Sequence, residues 1–191
     1  MEAIKHLPFQ DLGFAKLDHH RLLRNKAPEV VYCPGKTPEQ IKEIVSRLIR
    51  HSPNVLATRA SKEIFEHILL VDPTARYHEA ARLVVARPEP AEGRGQVAVL
   101  SAGTADFPVA EEAAVTAEVM GSLVARLYDV GVAGLHRLLA HRQVLLDSNA
   151  VVVVAGMEGA LASVVGGLVN RPVIAVPTSV GYGANLGGLA A

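Results

Sequence analysis

The chain of 191 residues is half hydrophobic (50%), and its 19 basic and 19 acidic side chains leave no formal net charge. This composition predicts a globular protein of one or two domains, and the neutral charge argues against broad binding to nucleic acid or membrane surfaces. The longest apolar runs are too short to cross a bilayer. Because Cys33 is the single cysteine and the N-terminus has no signal-peptide pattern, we expect a cytoplasmic protein without an internal disulfide.

Short strands and helices alternate in residues 1–94, which predicts a small N-terminal α/β domain. Thr37 and Gln40 flank Pro38 in the pattern of a capped helix start, and apolar residues follow at helical spacing. The segment 76–87 is ambiguous, because RYHEAA favours a helix whereas RLVVA favours a strand. The other predicted elements are a strand at 29–33, a helix at 38–51, a strand at 54–58 and a helix at 61–70.

The segment 87–95 (RPEPAEGRG) has the composition of a linker, so we expect a second domain over 95–191. Its continuous Val-rich runs are typical of parallel strands buried on both faces, and their alternation with helices predicts a three-layer, doubly wound α/β sheet. The ending GYGANLGGLAA resembles the start of a further helix, so we expect this domain to be incomplete at its C-terminus. The predicted strands are 97–100, 130–133, 151–155 and 172–176, and the predicted helices are 108–128, 135–142 and 158–169.

The loop 101–106 (SAGTAD) lies between the first of these strands and a helix. Glycine permits close approach of the backbone, and the N–H groups at a helix start attract anions, so this arrangement suits a phosphate or carboxylate. The loop matches neither the dinucleotide-binding nor the Walker A glycine pattern, which leaves an ordinary strand–helix turn as the alternative.

Titratable side chains follow the first three predicted strands of this sheet: Asp106, His136 and Glu158. Ligands of open parallel sheets bind beyond the carboxyl ends of the strands, so we expect these residues to share one edge. Each has a structural alternative as well. Asp106 can cap the following helix, His136 can be a surface or structural histidine, and Glu158 can stabilise a helix N-terminus.

Other kinds of site have little support in the sequence. No CxxC, HxxxH or HExxH spacing predicts a protein-bound metal, and no Gly-x-Ser-x-Gly elbow predicts a common hydrolase. Cys33 has no identified base partner, so we interpret it as a small buried apolar residue rather than a nucleophile.

Four segments carry a family resemblance: SAGTADFPVAEEAAVTAE, DVGVAGLHRLL, VVVVAGMEGALASVVGGLV and RPVIAVPTSVGYGANLGGLAA. They resemble the LarB family of nickel-pincer cofactor synthesis, as does LDHHRLLRNKAPEVVYCPGKTPEQ near the N-terminus. The second half is more distantly similar to the PurE-type carboxylases (AIR carboxylases) of purine synthesis.

The resemblance implies that nicotinic acid adenine dinucleotide, CO2 and water are converted to pyridinium-3,5-biscarboxylic acid mononucleotide and AMP. In the family a cysteine thiolate adds to the pyridinium ring, and the resulting enamine-like carbon attacks CO2. The sequence that resembles the family ends before that cysteine, and Cys33 matches no such motif. The resemblance implies no tightly bound cofactor, leaves Mg2+ open as an aid to anhydride cleavage, and implies a homo-oligomer, an octamer by analogy with PurE-type enzymes.

By motif match, the resemblance assigns catalysis to Glu158, His136 and Asp106. The alternatives are a PurE-type carboxylase acting on a phosphoribosyl aminoimidazole and a nucleotide-binding module without turnover. In place of Glu158 the purine enzymes carry a histidine-containing sequence, and they lack the N-terminal domain. The residues assigned to substrate binding are Ser101, Gly103, Thr104, Ala105, Gly156, Gly159, Ser179, Gly181, Tyr182, Gly183, Asn185, Asp18, Arg21 and Lys36.

Overall fold

The computed structural model describes residues 9–21 and 28–179. The chain divides into two compact units between Pro90 and Ala91, within the segment 87–95 that the sequence predicts as a linker. Among the described residues, no helix combines the length and the apolar character needed to cross a membrane.

The first unit contains a mixed four-stranded sheet and a short antiparallel ribbon. The sheet has the strand order β3-β4-β6-β5, in which β3 and β4 are parallel and β6 is antiparallel to both of its neighbours. The ribbon pairs β1 with β2. The elements are β1 (Gln10–Asp11), β2 (Lys16–Leu17), β3 (Val30–Tyr32), α1 (Pro38–Leu48), β4 (Val55–Thr58), α2 (Lys62–Leu69), β5 (Arg76–His78) and β6 (Leu83–Ala86).

Helix α1 starts as its sequence predicts. The hydroxyl of Thr37 accepts a hydrogen bond from the N–H of Gln40, and the side-chain oxygen of Gln40 accepts one from the N–H of Thr37. Its apolar stripe is buried against the first unit's core. The helix ends at Leu48 rather than at the predicted residue 51.

The ambiguous segment 76–87 forms two antiparallel strands, so a helix over RYHEAA is wrong. Tyr77 stacks on Phe65 with ring centroids 5.3 Å apart, and its hydroxyl donates a hydrogen bond to the carbonyl of Ala60 at 3.2 Å. These contacts to distant residues favour the extended conformation over the local helix propensity.

The second unit is built on a wholly parallel sheet with the strand order β10-β9-β7-β8. On strand β7, Ala98 and Leu100 pack with the helices α4, α5 and α6, whereas Val99 packs with α3 on the opposite face. Helices therefore cover both faces, which confirms the three-layer α/β fold. The elements are β7 (Gln96–Ser101), α3 (Phe107–Val119), β8 (Leu123–Leu127), α4 (Leu135–Ala140), α5 (Arg142–Asp147), β9 (Ala150–Ala155), α6 (Ala160–Leu168) and β10 (Val173–Pro177).

The predicted helix 108–128 and strand 130–133 are wrong in their positions. The helix ends at Val119, and Gly121 follows with a φ of +91°, where a side chain would also meet the carbonyl oxygen of Glu92. Strand β8 then forms at the sheet edge, where Arg126 reaches acidic residues of α3. Residues 130–133 form a loop and a 3-10 turn instead. The further helix expected within 181–191 lies outside the described residues.

His19 has a distinctive environment in the first unit. Its ring lies 4.2 Å from that of His51, its Nε2 is 3.3 Å from Oε1 of Gln10, and its buried Nδ1 has no hydrogen-bond partner among the described residues. Burial lowers the pKa of His19, and His51 and His20 lower it further against the opposing effect of Asp18. The folded protein therefore favours the neutral ring.

Acidification should destabilise the protein through His19. Because the pKa of His19 is lower in the folded state, the unfolded chain binds more protons, and the free energy of unfolding should fall as the pH drops below about 6.5. Urea unfolding at pH 8 and pH 5 measures this, and His19→Gln should show a smaller loss than the wild type. His141→Gln, at an exposed position, is the control and should keep the wild-type loss. If His19→Gln lost as much unfolding free energy between pH 8 and pH 5 as the wild type, the assignment of this pH dependence to His19 would be contradicted.

Candidate active site

A cavity of about 480 Å³ lies beyond the carboxyl ends of β7 and β9. The sheet runs from β7 to β8 on one side and to β9 on the other, so the cavity occupies the point where the strand order reverses. Its volume is in the range of small-molecule sites. The lining residues are Ala102, Gly103, Thr104, Ala105, Asp106, Gly131, Val132, Ala133, Arg137, Ala155, Gly156, Met157, Glu158, Ala160 and Leu161.

The loop after β7 forms one wall of the cavity, with Gly103, Thr104 and Ala105 lining it. Asp106 is only 6% exposed. Its Oδ2 accepts a hydrogen bond from the N–H of Gly103 at 3.0 Å, and its Oδ1 accepts one from the hydroxyl of Thr178 at 2.7 Å. The side chain makes no capping hydrogen bond to α3. The carboxylate of Asp106 therefore ties the loop together rather than capping the helix.

Ser101 is fully buried and is not among the lining residues. Its hydroxyl accepts a hydrogen bond from the N–H of Asp129 at 3.2 Å, and its carbonyl accepts one from the N–H of Val130 at 3.0 Å. Ser101 thus fastens the loop that follows β8 to the end of β7.

Arg137 places a cationic side chain at the cavity. Its Nη1 donates a hydrogen bond to Oδ2 of Asp129 at 2.7 Å, and the guanidinium lies close over Gly134, where a Cβ would come within 2.6 Å of Nε. Our sequence-based site list omits Arg137 in favour of its neighbour His136. Because a helix starts at residue 135, the neighbouring side chains of His136 and Arg137 point in different directions. This is the sequence signal that could have distinguished the cavity residue from its neighbour.

His136 is the second residue of α4, is exposed, and is not among the lining residues. Glu158 lines the cavity from the turn before α6, so it stands just outside that helix rather than in its first turn. Gly156 also lines this cavity, whereas Gly159 lines a neighbouring cavity of about 220 Å³ that Glu158 shares. The structure therefore brings together Asp106 and Glu158 of the three predicted catalytic residues.

None of the remaining predicted binding residues that the structure describes is among the lining residues of the cavity. Ser179 is exposed just after β10, and Gly181, Tyr182, Gly183 and Asn185 lie outside the described residues.

Asp18, Arg21 and Lys36 belong to the first unit. Asp18 accepts a hydrogen bond from the N–H of His20 at 3.1 Å, and Lys36 donates one to the carbonyl of Tyr32 at 2.7 Å. Their assignment to substrate binding stays a prediction.

Comparison with known proteins identifies the family. Residues 9–88 match the family described as the LarB/PurE-like N-terminal domain. An uncharacterised protein of Methanocaldococcus jannaschii is 40% identical over 177 residues, which cover 88% of this chain and 69% of that protein. The chain belongs to the LarB family. The family expectation is thereby confirmed.

Among the described residues of this LarB-family chain, neither a metal cluster nor a reactive thiol accompanies the cavity. Over residues 9–21 and 28–179, no group of three or more His, Cys, Asp and Glu side chains is placed to hold a metal ion. Cys33 is buried in the first unit's core, and burial raises the pKa of its thiol to about 11. Little thiolate forms there at neutral pH, in agreement with its interpretation as an apolar core residue.

Gly131 should be essential to this LarB-family cavity because its loop passes directly over the loop after β7. Its N–H donates a hydrogen bond to the carbonyl of Ala102 at 2.9 Å, and a Cβ at Gly131 would stand 2.7 Å from that same oxygen. We expect Gly131→Ala to lower the melting temperature, measured by thermal unfolding.

Gly166→Ala is the matched control, because a Cβ there meets no atom within 4 Å and the residue lies inside α6. Its higher helix propensity should stabilise the protein by up to about 1 kcal/mol. A melting temperature of Gly131→Ala equal to that of the wild type would contradict the close contact.

Proposed function

We propose that this LarB-family protein converts nicotinic acid adenine dinucleotide, CO2 and water to pyridinium-3,5-biscarboxylic acid mononucleotide and AMP. The observation that carries the proposal is the cavity at the reversal of the strand order, which combines a small-residue loop, one arginine and two carboxylates. Membership of the LarB family supports this reaction over other nucleotide chemistry.

The cavity offers two kinds of group for an anionic ligand. The N–H groups of Thr104 and Ala105 open the 3-10 turn that leads into α3, so they have no carbonyl partner within it. Arg137 adds a guanidinium, and its hydrogen bond to Asp129 uses only Nη1. We assign phosphate and carboxylate groups of the dinucleotide to these donors.

Glu158 is the better placed of the two carboxylates to exchange a proton. It is exposed to the cavity, whereas the buried Asp106 already accepts two hydrogen bonds. Carboxylation of the ring at C5 requires the C5 proton to leave, and we assign its removal to Glu158. Asp106 would orient a ribose hydroxyl or a water, and the role of His136 stays a prediction.

Mg2+ is a candidate aid to cleavage of the phosphoanhydride. This ion is commonly held by one or two carboxylates together with substrate phosphates. Asp106 and Glu158 are the carboxylates that line the cavity, and the exposed Glu158 has the more accessible oxygens. A phosphate-bound ion would therefore fit at Glu158, and it would neutralise charge on the leaving phosphate.

The direct test is turnover by the product of the complete gene. The protein is incubated with nicotinic acid adenine dinucleotide and bicarbonate, with and without Mg2+, and AMP and product masses are followed by mass spectrometry. AMP together with a mononucleotide heavier by one carboxyl group is the expected result. Turnover of the aminoimidazole ribonucleotide alone would assign a PurE-type reaction, and binding without turnover of either substrate would indicate a nucleotide-binding module.

Replacement of Glu158 tests its role in proton transfer. Glu158→Gln keeps the size of the side chain but cannot accept the proton, so kcat should fall by roughly 10²- to 10⁴-fold with an unchanged melting temperature. Glu79→Gln, at an exposed position of the first unit, is the matched control and should keep full activity. Wild-type turnover in Glu158→Gln would refute the assignment.

Replacement of Arg137 tests anion binding. The loss of charge-assisted hydrogen bonds in Arg137→Ala should raise KM for the dinucleotide by roughly 10- to 100-fold, with a smaller change in kcat. Arg142→Ala removes an exposed guanidinium from the neighbouring helix α5 and should leave KM unchanged. Equal KM values in the two variants would show that Arg137 does not hold the substrate.

A further inference from the structure

Thr178 joins the end of β10 to the loop after β7. The residue directly follows the strand and is 4% exposed. Its hydroxyl donates a hydrogen bond of 2.7 Å to Oδ1 of Asp106, which is 72 residues away in sequence, and its N–H donates one of 3.0 Å to the carbonyl of Ala155. Ala155 itself lines the cavity at the end of β9. One buried threonine therefore connects the ends of three strands around the cavity.

We propose that Thr178 is a positioning residue, which holds the carboxylate of Asp106 in its orientation at the cavity. Thr178 is absent from the predicted site residues, although it falls within the segment RPVIAVPTSVGYGANLGGLAA that carries the family resemblance. Its effect on catalysis rests on the proposed function, whereas its effect on the loop 102–106 does not.

The geometry supports this role because the two oxygens of Asp106 are held from different parts of the fold. Oδ2 is bound by the N–H of Gly103 within the same loop, and Oδ1 is bound by Thr178 from β10. The local bond alone leaves the carboxylate free to turn about its side-chain torsions. The second bond, from a rigid strand end, removes that freedom.

The carboxylate of Asp106 can accept further hydrogen bonds, which a ligand could supply. Two carboxylate oxygens can accept about four hydrogen bonds, and the described residues supply two of them to Asp106. Asp106 lines the cavity, so the remaining acceptor sites are available to a ligand hydroxyl or a bound water. Thr178 determines the direction of these sites without lining the cavity itself.

The backbone of Thr178 is fixed independently of its hydroxyl. Its N–H continues the parallel hydrogen-bonding pattern of β10 and β9, in which Pro177 lies beside Ala155. Thr178→Val should therefore keep the backbone and the packing while removing the donor to Asp106. The buried Oδ1 then loses a partner, which is costly for a charged acceptor.

The first experiment measures the loop in the absence of ligand. Hydrogen exchange of the peptide that covers 102–106 should become faster in Thr178→Val and remain near wild type in Thr178→Ser, which restores the hydroxyl. Ser148→Ala is the matched control, because Ser148 is fully buried and donates to the carbonyl of Val144 at the opposite end of the sheet. Equal exchange in Thr178→Val and wild type would overturn the inference, whatever the substrate is.

The second experiment measures turnover of nicotinic acid adenine dinucleotide. Thr178→Val should lower kcat by roughly 10- to 100-fold with a smaller change in KM, and Thr178→Ser should recover most of the loss. In an Asp106→Ala background, Thr178→Val should have little further effect, because its partner is already absent. Losses that simply add in the double variant would show that Thr178 does not act through Asp106.

The two experiments distinguish a failure of the proposed function from a failure of the positioning role of Thr178. A wild-type protein that fails to turn over the dinucleotide would refute the proposed function, and the exchange of residues 102–106 would still decide the role of Thr178. Wild-type turnover with unaltered exchange and kcat in Thr178→Val would preserve the proposed function and refute the positioning role.

Discussion

The parallel pairing of β7 with β8 on one side and β9 on the other controls where functional side chains of the second unit can stand. The chain passes from β7 to β8 on one side of it and later forms β9 on the other side. The loops that follow β7 and β9 therefore lead in opposite directions. The gap between them is the cavity. Glycine and alanine line much of it because bulkier side chains would fill the space that the reversal opens.

Hydrogen bonds made by a few side chains hold the walls of the cavity. Ser101 binds the loop after β8 through Asp129, and Asp129 in turn holds Arg137. The carboxylate of Asp106 binds Gly103 within its own loop and Thr178 from the far strand. The buried bond from Thr178 to Asp106 fixes loop geometry more firmly than packing of small residues does, since an unpaired buried polar group is costly.

The family match and the cavity lie in different units of the chain. The family match falls on residues 9–88 of the first unit, whereas the cavity and its charged residues belong to the second. The first unit contributes the half-buried His19 beside His51 and a buried, unreactive Cys33. The more extended similarity to the Methanocaldococcus jannaschii protein spans most of the chain, so both units are features of the family.

The sequence by itself determined features that depend on residues close together along the chain. The capped start of α1, the Val-rich strands β7 and β9, and the small-residue loop after β7 are all local patterns of burial and hydrogen bonding. These patterns were enough to predict the layered fold and the edge of the sheet where Asp106 and Glu158 line one cavity. The family resemblance, carried by longer motifs, was also readable from the sequence.

Only the tertiary structure decided features that depend on distant partners. Strand β8 forms at an edge where Arg126 pairs with acids of α3, so its charged sequence does not look like a buried strand. The choice of Arg137 over His136 at the cavity depends on which face of α4 turns toward the sheet. The bond from Thr178 to Asp106 spans 72 residues, and no local pattern encodes it, because its two partners meet only when β10 joins the sheet beside β9.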